Sequence, residues 1–263
     1  MKADSELVGY VLCEMLPQKL VRELCGRLGI RVPTSGTRHD QCRALAELIE
    51  FAPLHRYCVE NWSRPDAGIH LRNLKSGLLD GFSWHNLAPS HLHLGLQGQV
   101  RRVANGESTI ADFLRLGTDV IKKEYVMVAI ADLTELTLVD RCGGTPPLKH
   151  RALSDVVLAG VPYDVKNTAA NANWNAARIR SDPGQFAREM IAGADPERGR
   201  KQMESAYNPW AGNRLFVVTE DETLWLKDPE SLLAKLAAQA GGLRAPHRIE
   251  SEAGTTLAQV IVI

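Results

Sequence analysis

Two aspartates and a lysine in the segment LSDVVLAGVPYDVKNT, residues 153–168, have the types and spacing that phosphodiester hydrolysis uses. They are Asp155, Asp164 and Lys166. Paired carboxylates offer hard oxygen ligands, which suit Mg²⁺ or Mn²⁺ with a substrate phosphate completing the shell. An ion held there would polarise the phosphodiester and help to ionise a bound water. An ammonium beside it would position that water and offset charge developing on phosphorus. Asp-x-Lys alone recurs by chance, and its usual meaning is a solvated surface pair. An acid, a turn and then Asp-x-Lys on the paired strand make a narrower pattern.

The elements that must hold these side chains can be read around them. Residues 155–158 are a β-branched run, Ala159-Gly160 supplies a turn, and residues 161–166 form a second extended run. Pro162 stands near the start of that run, where a strand tolerates it. Centring the turn on 159 and 160 pairs Leu158 with Val161, and counting outward sets Asp155 opposite Asp164. Opposed residues on one face have Cβ atoms about 4.5–5.5 Å apart, and like charges there destabilise a sheet. Something positive should therefore sit beside the pair. Alternation places Lys166 on the face of Asp164 and turns Val165 to the core.

On these residues the chain resembles the PD-(D/E)XK, or restriction-endonuclease-like, superfamily. Asp164 replaces the commoner Glu of the second motif, and Ser154 stands where the family's name puts Pro. The resemblance implies an α/β fold: a restriction-endonuclease-like mixed central sheet flanked by helices, preceded by a small helical N-terminal segment. It implies metal-dependent nuclease activity, with Asp155 and Asp164 as metal ligands, Lys166 as catalytic lysine and Mg²⁺ or Mn²⁺ as cofactor. It further implies an acid on the helix before the first core strand. Residues 118–133 read as that helix, with Val120, Ile121, Val128 and Ala131 as its buried stripe. Glu124 is the candidate catalytic and metal-binding acid, and Asp119 a weaker one. Downstream, residues 183–191 and 196–206 read as helices, and 213–219 as an apolar strand inside a sheet. The resemblance covers residues 108–240. Within it, Arg178, Arg180, Arg198, Arg200 and Lys201 could track a phosphate backbone. Trp174 is either a base-stacking platform or a buried ring.

Upstream, residues 16–50 read as two short helices. Leu20, Val21, Leu24 and Leu28 recur at helical spacing until Gly29, and RVPTSGT is a loop. Thr37 then caps a second helix with Cys42, Leu45, Ala46 and Leu48 as its stripe. This stretch resembles the SAP module, a helix-loop-helix that binds DNA, and departs from it at His39 and Asp40. The resemblance implies phosphate contacts through Arg22, Arg27, Arg38 and Arg43. The alternative is a helical hairpin packed on the main domain. The expected division is thus a helical segment over 1–50, a linking region over 51–107 and a nuclease core over 108–263.

Bulk properties narrow the classes. Of 263 residues 44% are hydrophobic, and 31 basic residues balance 31 acidic ones, so net charge gives no argument for a polyanionic partner. Any such argument must be local. Five cysteines, none in a CxxC, speak against a disulfide framework and a zinc knuckle. The N-terminus lacks the pattern of a signal peptide and no apolar run matches a bilayer, so a cytoplasmic, reducing location with no membrane partner is expected. Residues 51–107 hold His55, His70, His85, His91 and His93, of which the last two alternate on one strand face. Two placed ligands fall short of the three or four that zinc needs. The expected partner is nucleic acid, double-stranded DNA above all, with a homodimer also open. Two other readings stand beside the nuclease: a non-catalytic DNA-binding protein that keeps the fold, and a zinc hydrolase built on the central histidines.

Overall fold

The computed structural model describes residues 2–77, 79, 100–150, 152–192, 212–243, 245–251 and 254–263. The chain forms two compact units. The first comprises Met1–Pro65, Thr134–Asp221 and Leu233–Ile263; the second comprises Asp66–Leu133 and Glu222–Leu232. This division does not follow the expected boundaries at 50 and 107.

The first unit is a mixed sheet with helices. β1 (Val156–Leu158) and β2 (Val161–Ala169) are antiparallel, in the register Leu158↔Val161, Val157↔Pro162, Val156↔Tyr163. Their two-residue turn puts Ala159 at φ 50° and Gly160 at φ 77°, both left-handed, as a tight hairpin with matched twist requires. β2 then pairs in parallel with β3 (Arg214–Thr219), and β3 in parallel with β5 (Gly254–Val262). β4 (His247–Ser251) closes the far edge antiparallel to β5, giving the order β1-β2-β3-β5-β4. The sequence reading made no statement about the β4–β5 hairpin. β3 has strands on both sides, so its unbroken apolar run LFVVT is buried throughout. A single bridge, Thr145↔Val157, stands where a first core strand was expected.

Parallel neighbours need a crossover. Between β2 and β3 it includes α7 (Ala176–Ser181) and α8 (Pro183–Ala192). Their apolar side chains, Ile179, Phe186 and Ala187, pack with Trp174 on Phe216, Val218, Ala258 and Val262. Trp174, Phe186 and Phe216 form an edge-to-face chain, with centroids 5.5 and 5.7 Å apart. The expected helix over 196–206, with Arg198, Arg200 and Lys201, lies outside the described residues.

A second apolar cluster belongs to the N-terminal helices. These are α1 (Lys2–Tyr10), which runs into a π-helical turn (Val11–Met15), then α2 (Gln18–Arg27), α3 (Arg38–Ala46) and α4 (Phe51–Asn61). Thr37 caps α3 in a full capping box with Asp40, as its type and place predict. Cys42, Leu45 and Ala46 are buried as expected, whereas Leu48 is 62% exposed. The cluster includes Val157 of β1, with Leu148 and Leu153 against it. Residues 16–50 thus share a core with the hairpin.

The second unit holds α5 (Ala67–Lys75), α9 (Leu224–Lys227) and the Ile110–Leu133 portion of the long helix α6 (Ile110–Cys142). Most of α10 (Pro229–Ala240) belongs to the first unit. α6 extends well beyond the expected 118–133, and its buried stripe matches the expected one fully only at Val120. Ala131 is half-buried, Ile121 and Val128 are 70% and 51% exposed, and Val126, Ala129, Ile130 and Leu133 are buried instead. No helix among the described residues is long and apolar enough to cross a membrane.

Candidate active site

β2 is the strand on which the site is built, because it has a neighbour on each side. The ladder ends at Val156↔Tyr163, one residue short of the expected Asp155–Asp164 pair, and Asp155 N–H donates to the Tyr163 carbonyl at 2.9 Å. On the other flank Asp164 stands in register with Arg214 of β3. Both Asp164 oxygens are met by cations: Lys166 Nζ lies 2.7 Å from Oδ1 and Arg214 Nη1 lies 3.3 Å from Oδ2. The positive charge expected beside the acid pair is therefore present, from two residues rather than one. Val165, between Asp164 and Lys166, is half-buried rather than fully in the core.

Asp155 is fixed differently. Its Oδ2 accepts the Val165 backbone N–H at 2.8 Å, so the carboxylate is held over the strand that carries Asp164. Burial, and then the charge and hydrogen-bonding proximity of Asp164, push its pKa from 3.8 up to about 6. The Val165 N–H and Lys166 pull the other way but do not win. Two carboxyls within hydrogen-bonding reach of each other offer the hard oxygen donors of a Mg²⁺ or Mn²⁺ site.

Beneath them lies a residue the sequence reading missed. Tyr10, buried at the end of α1, faces Ser154, and its hydroxyl is pushed up to about 12, chiefly by burial. The charges of Glu14, Asp155 and Asp164 add to that shift, which puts Tyr10 within electrostatic reach of the acid pair. No local pattern marks it, since its role depends on α1 packing against the hairpin.

Asn213 organises the strand ends around Asp164. Fully buried, it donates to the Pro162 carbonyl at 3.1 Å and accepts the Leu257 N–H at 2.9 Å. Its own carbonyl accepts Asp164 N–H at 3.1 Å. One side chain thus ties β2, β3 and β5 together where the acid sits.

The remaining candidates are placed less centrally. Glu124 and Asp119 are exposed and belong to the second unit, whereas Asp155, Asp164 and Lys166 belong to the first. The part of α6 within the first unit reaches the sheet through Thr134, whose hydroxyl donates to Asn167 at 3.0 Å. Asn167 alternates with Lys166, so this contact lies on the sheet face opposite the acids. Arg22 and Arg43 are exposed. Arg27 pairs with Glu60 at 3.2 Å and lies over the Tyr57 ring. Arg38 is half-buried and donates to the carbonyls of Leu12, Cys13 and Leu16, so its guanidinium ties α3 to the π turn.

Trp174 is buried, with its indole N–H donating to Glu189 at 2.7 Å and Arg178 stacked over its ring. Arg180 pairs with Glu220. Of the central histidines, His55 meets the Gly143 and Gly144 carbonyls, and His70 bonds Asp132 at 2.9 Å and Tyr125 at 3.3 Å. His85, His91 and His93 lie outside the described residues. No family model, curated protein or solved structure matches this chain.

Proposed function

We propose that this chain is a metal-dependent nuclease that hydrolyses phosphodiester bonds, with double-stranded DNA as the favoured substrate. One observation carries the reading: the Asp155 and Asp164 carboxyls lie within hydrogen-bonding reach of each other beside the hairpin, and Lys166 is bonded to Asp164. A fold gains nothing from two neighbouring acids unless a cation completes them. The continuation from that hairpin through a helical crossover into a buried parallel strand adds support, being the arrangement the superfamily resemblance implies.

Asp155 and Asp164 would hold Mg²⁺ or Mn²⁺, which when bound supplies polarisation of the phosphodiester and a more acidic water. The chain's own residues do the rest. Lys166, nearly half exposed, can leave Asp164 once an ion neutralises it and turn to the substrate, orienting water and stabilising the developing phosphorane charge. Arg214 is far more enclosed, 15% exposed at its side chain, and keeps Asp164 oriented. The raised pKa of Asp155 means that metal binding, and cleavage with it, should weaken below about pH 6.

A second reading has its own observation. Both oxygens of Asp164 are already paired with cations, which also suits a catalytically silent DNA-binding protein. Plasmid, linear duplex, single-stranded DNA and RNA should be incubated with wild-type, Asp164→Asn and Lys166→Ala proteins in Mg²⁺, Mn²⁺ or EDTA. The nuclease reading expects metal-dependent cutting that both substitutions remove. Cutting by either variant at the wild-type rate, or DNA binding without cutting in every condition, would end it.

A further inference from the structure

Away from the acid pair, the first unit gathers a set of softer donors that the nuclease reading does not use. Cys13 and Glu14 lie side by side in the π-helical turn; His39 and Cys42 lie three residues apart on α3 and so share a helix face. The ligand atoms of Cys13, Glu14 and His39 all fall within 4.8 Å of one another. His39 Nε2 is 3.6 Å from Glu14 Oε1, and the Cys13 and Cys42 thiols are within hydrogen-bonding reach of each other. Three donors from two elements therefore converge, with Cys42 beside Cys13.

We propose that Cys13, Glu14 and His39 form a Zn²⁺ site that pins α3 to the π turn. The donor set decides the metal. Thiolate sulfur and imidazole nitrogen favour zinc over magnesium, a carboxylate is an accepted third ligand, and water can take the fourth position. Ligand atoms around tetrahedral zinc sit about 3.3–3.8 Å apart, as follows from bond lengths of about 2.0–2.3 Å, so the cluster needs only modest closing.

The frame is prebuilt. Arg38 and Lys149 both donate to the Cys13 carbonyl, and the Thr37–Asp40 capping box fixes the first turn of α3, where His39 stands. The π turn has a physical purpose here. Inserting one extra residue in the helical path rotates the side chains that follow it, and such turns recur at functional sites.

Taking up Zn²⁺ forms one Zn–S bond and releases the Cys13 thiol proton to solvent, so affinity rises with pH. No oxidation is involved, and a Cys13–Cys42 disulfide would exclude the ion. The proposal does not rest on the nuclease reading, because none of its three ligands is one of the hairpin residues.

The full chain, reduced and stripped with a chelator, should be titrated with Zn²⁺ against a chromophoric competitor in excess Mg²⁺. One equivalent of zinc should bind, and the thermal midpoint should rise with Zn²⁺ but not with Mg²⁺. Cys13→Ser, Glu14→Gln and His39→Ala should each weaken binding by at least about 100-fold, on the expectation that losing a ligand costs no less than losing its supporting partner. Cys142→Ser and Asp164→Asn should leave it unchanged. Substituting Co²⁺ in the wild-type protein should give thiolate-to-metal charge-transfer absorption and tetrahedral ligand-field bands, a readout independent of whether the variants fold. Failure of the reduced chain to take up stoichiometric zinc, a cobalt spectrum without sulfur ligation, or equal affinity in the Cys13 and His39 variants would overturn the site.

Discussion

The hairpin and the N-terminal cluster are both places where side chains converge, but they converge by different routes. Asp155, Asp164 and Lys166 lie within twelve residues, and one two-residue turn sets their alignment. Cys13 and Glu14 are separated from His39 and Cys42 by a loop and the whole of α2, and meet only because the helices pack. The chemistry differs in step. The hairpin offers oxygen alone and matches a hard cation, while the cluster offers sulfur and nitrogen and matches a softer one. A site made by local geometry can be read before folding; a site made by packing cannot.

The sharpest way to break that comparison is to swap the sites' dependencies. Lys166→Ala and Asp164→Asn should lower cleavage by about 10²–10³-fold, the range seen when one group stabilising developing charge is removed. Zinc content should stay at one equivalent in both. If zinc content falls with cleavage, the two regions are one site and the division is wrong. If cleavage persists while zinc is retained, the hairpin is a structural ion pair of the kind exposed sheets tolerate.

A smaller effect sharpens the division within the N-terminal helices. Arg38 was read as a DNA contact beside Arg22, Arg27 and Arg43, yet it donates to three carbonyls at the end of the π turn. Arg38→Ala should cost about 2–3 kcal/mol of stability, the usual worth of charge-assisted bonds to buried carbonyls. Urea unfolding measures this directly. Arg22→Ala and Arg43→Ala, both at exposed positions, should leave stability unchanged; their effect, if the SAP-like reading holds, is weaker DNA binding and a shallower salt dependence. Equal stability of all three variants would return Arg38 to the surface-contact role.

What the sequence made legible follows the same line. The hairpin, its register, the convergence of the two acids, the Thr37 cap and the buried β3 strand all depend on period-two alternation, a turn dipeptide or a cap, each a local signal. The resemblance places a third acid on the helix before the first core strand, which points to Glu124; in the structure that helix, α6, runs from Ile110 to Cys142 and Glu124 lies on its exposed part in the second unit. Tyr10 and Arg214 could not be found in advance. One reaches the acids through helix packing, the other through a parallel pairing with a strand fifty residues away. The N-terminal cluster is illegible for the converse reason: Cys13 and Glu14 meet His39 only through helix packing and show no metal-ligand spacing along the chain.

The smallest predicted effect tests the electrostatic premise of the hairpin by itself. In protein with no added metal, Asp155 holds its proton more tightly when folded than when unfolded, with its pKa raised from 3.8 to about 6. The folded state therefore binds the extra proton between those values. The stability this confers is fully present below about pH 4 and is lost as pH rises through about 6. A shift of that size would correspond to roughly 3 kcal/mol, and partial solvent access lowers the expected change to about 1–2 kcal/mol. Asp155→Asn retains an oxygen that can accept the Val165 N–H but cannot ionise. Its thermal midpoint should therefore lie above wild type at pH 7, with the gap closing towards pH 4. Added Mg²⁺ should reverse the order at pH 7, because wild type then gains a ligated ion that the variant binds poorly. Wild-type and variant curves that run parallel from pH 4 to pH 7 would mean that Asp155 is not opposed by Asp164 in solution, and the acid pair would lose its claim to a metal.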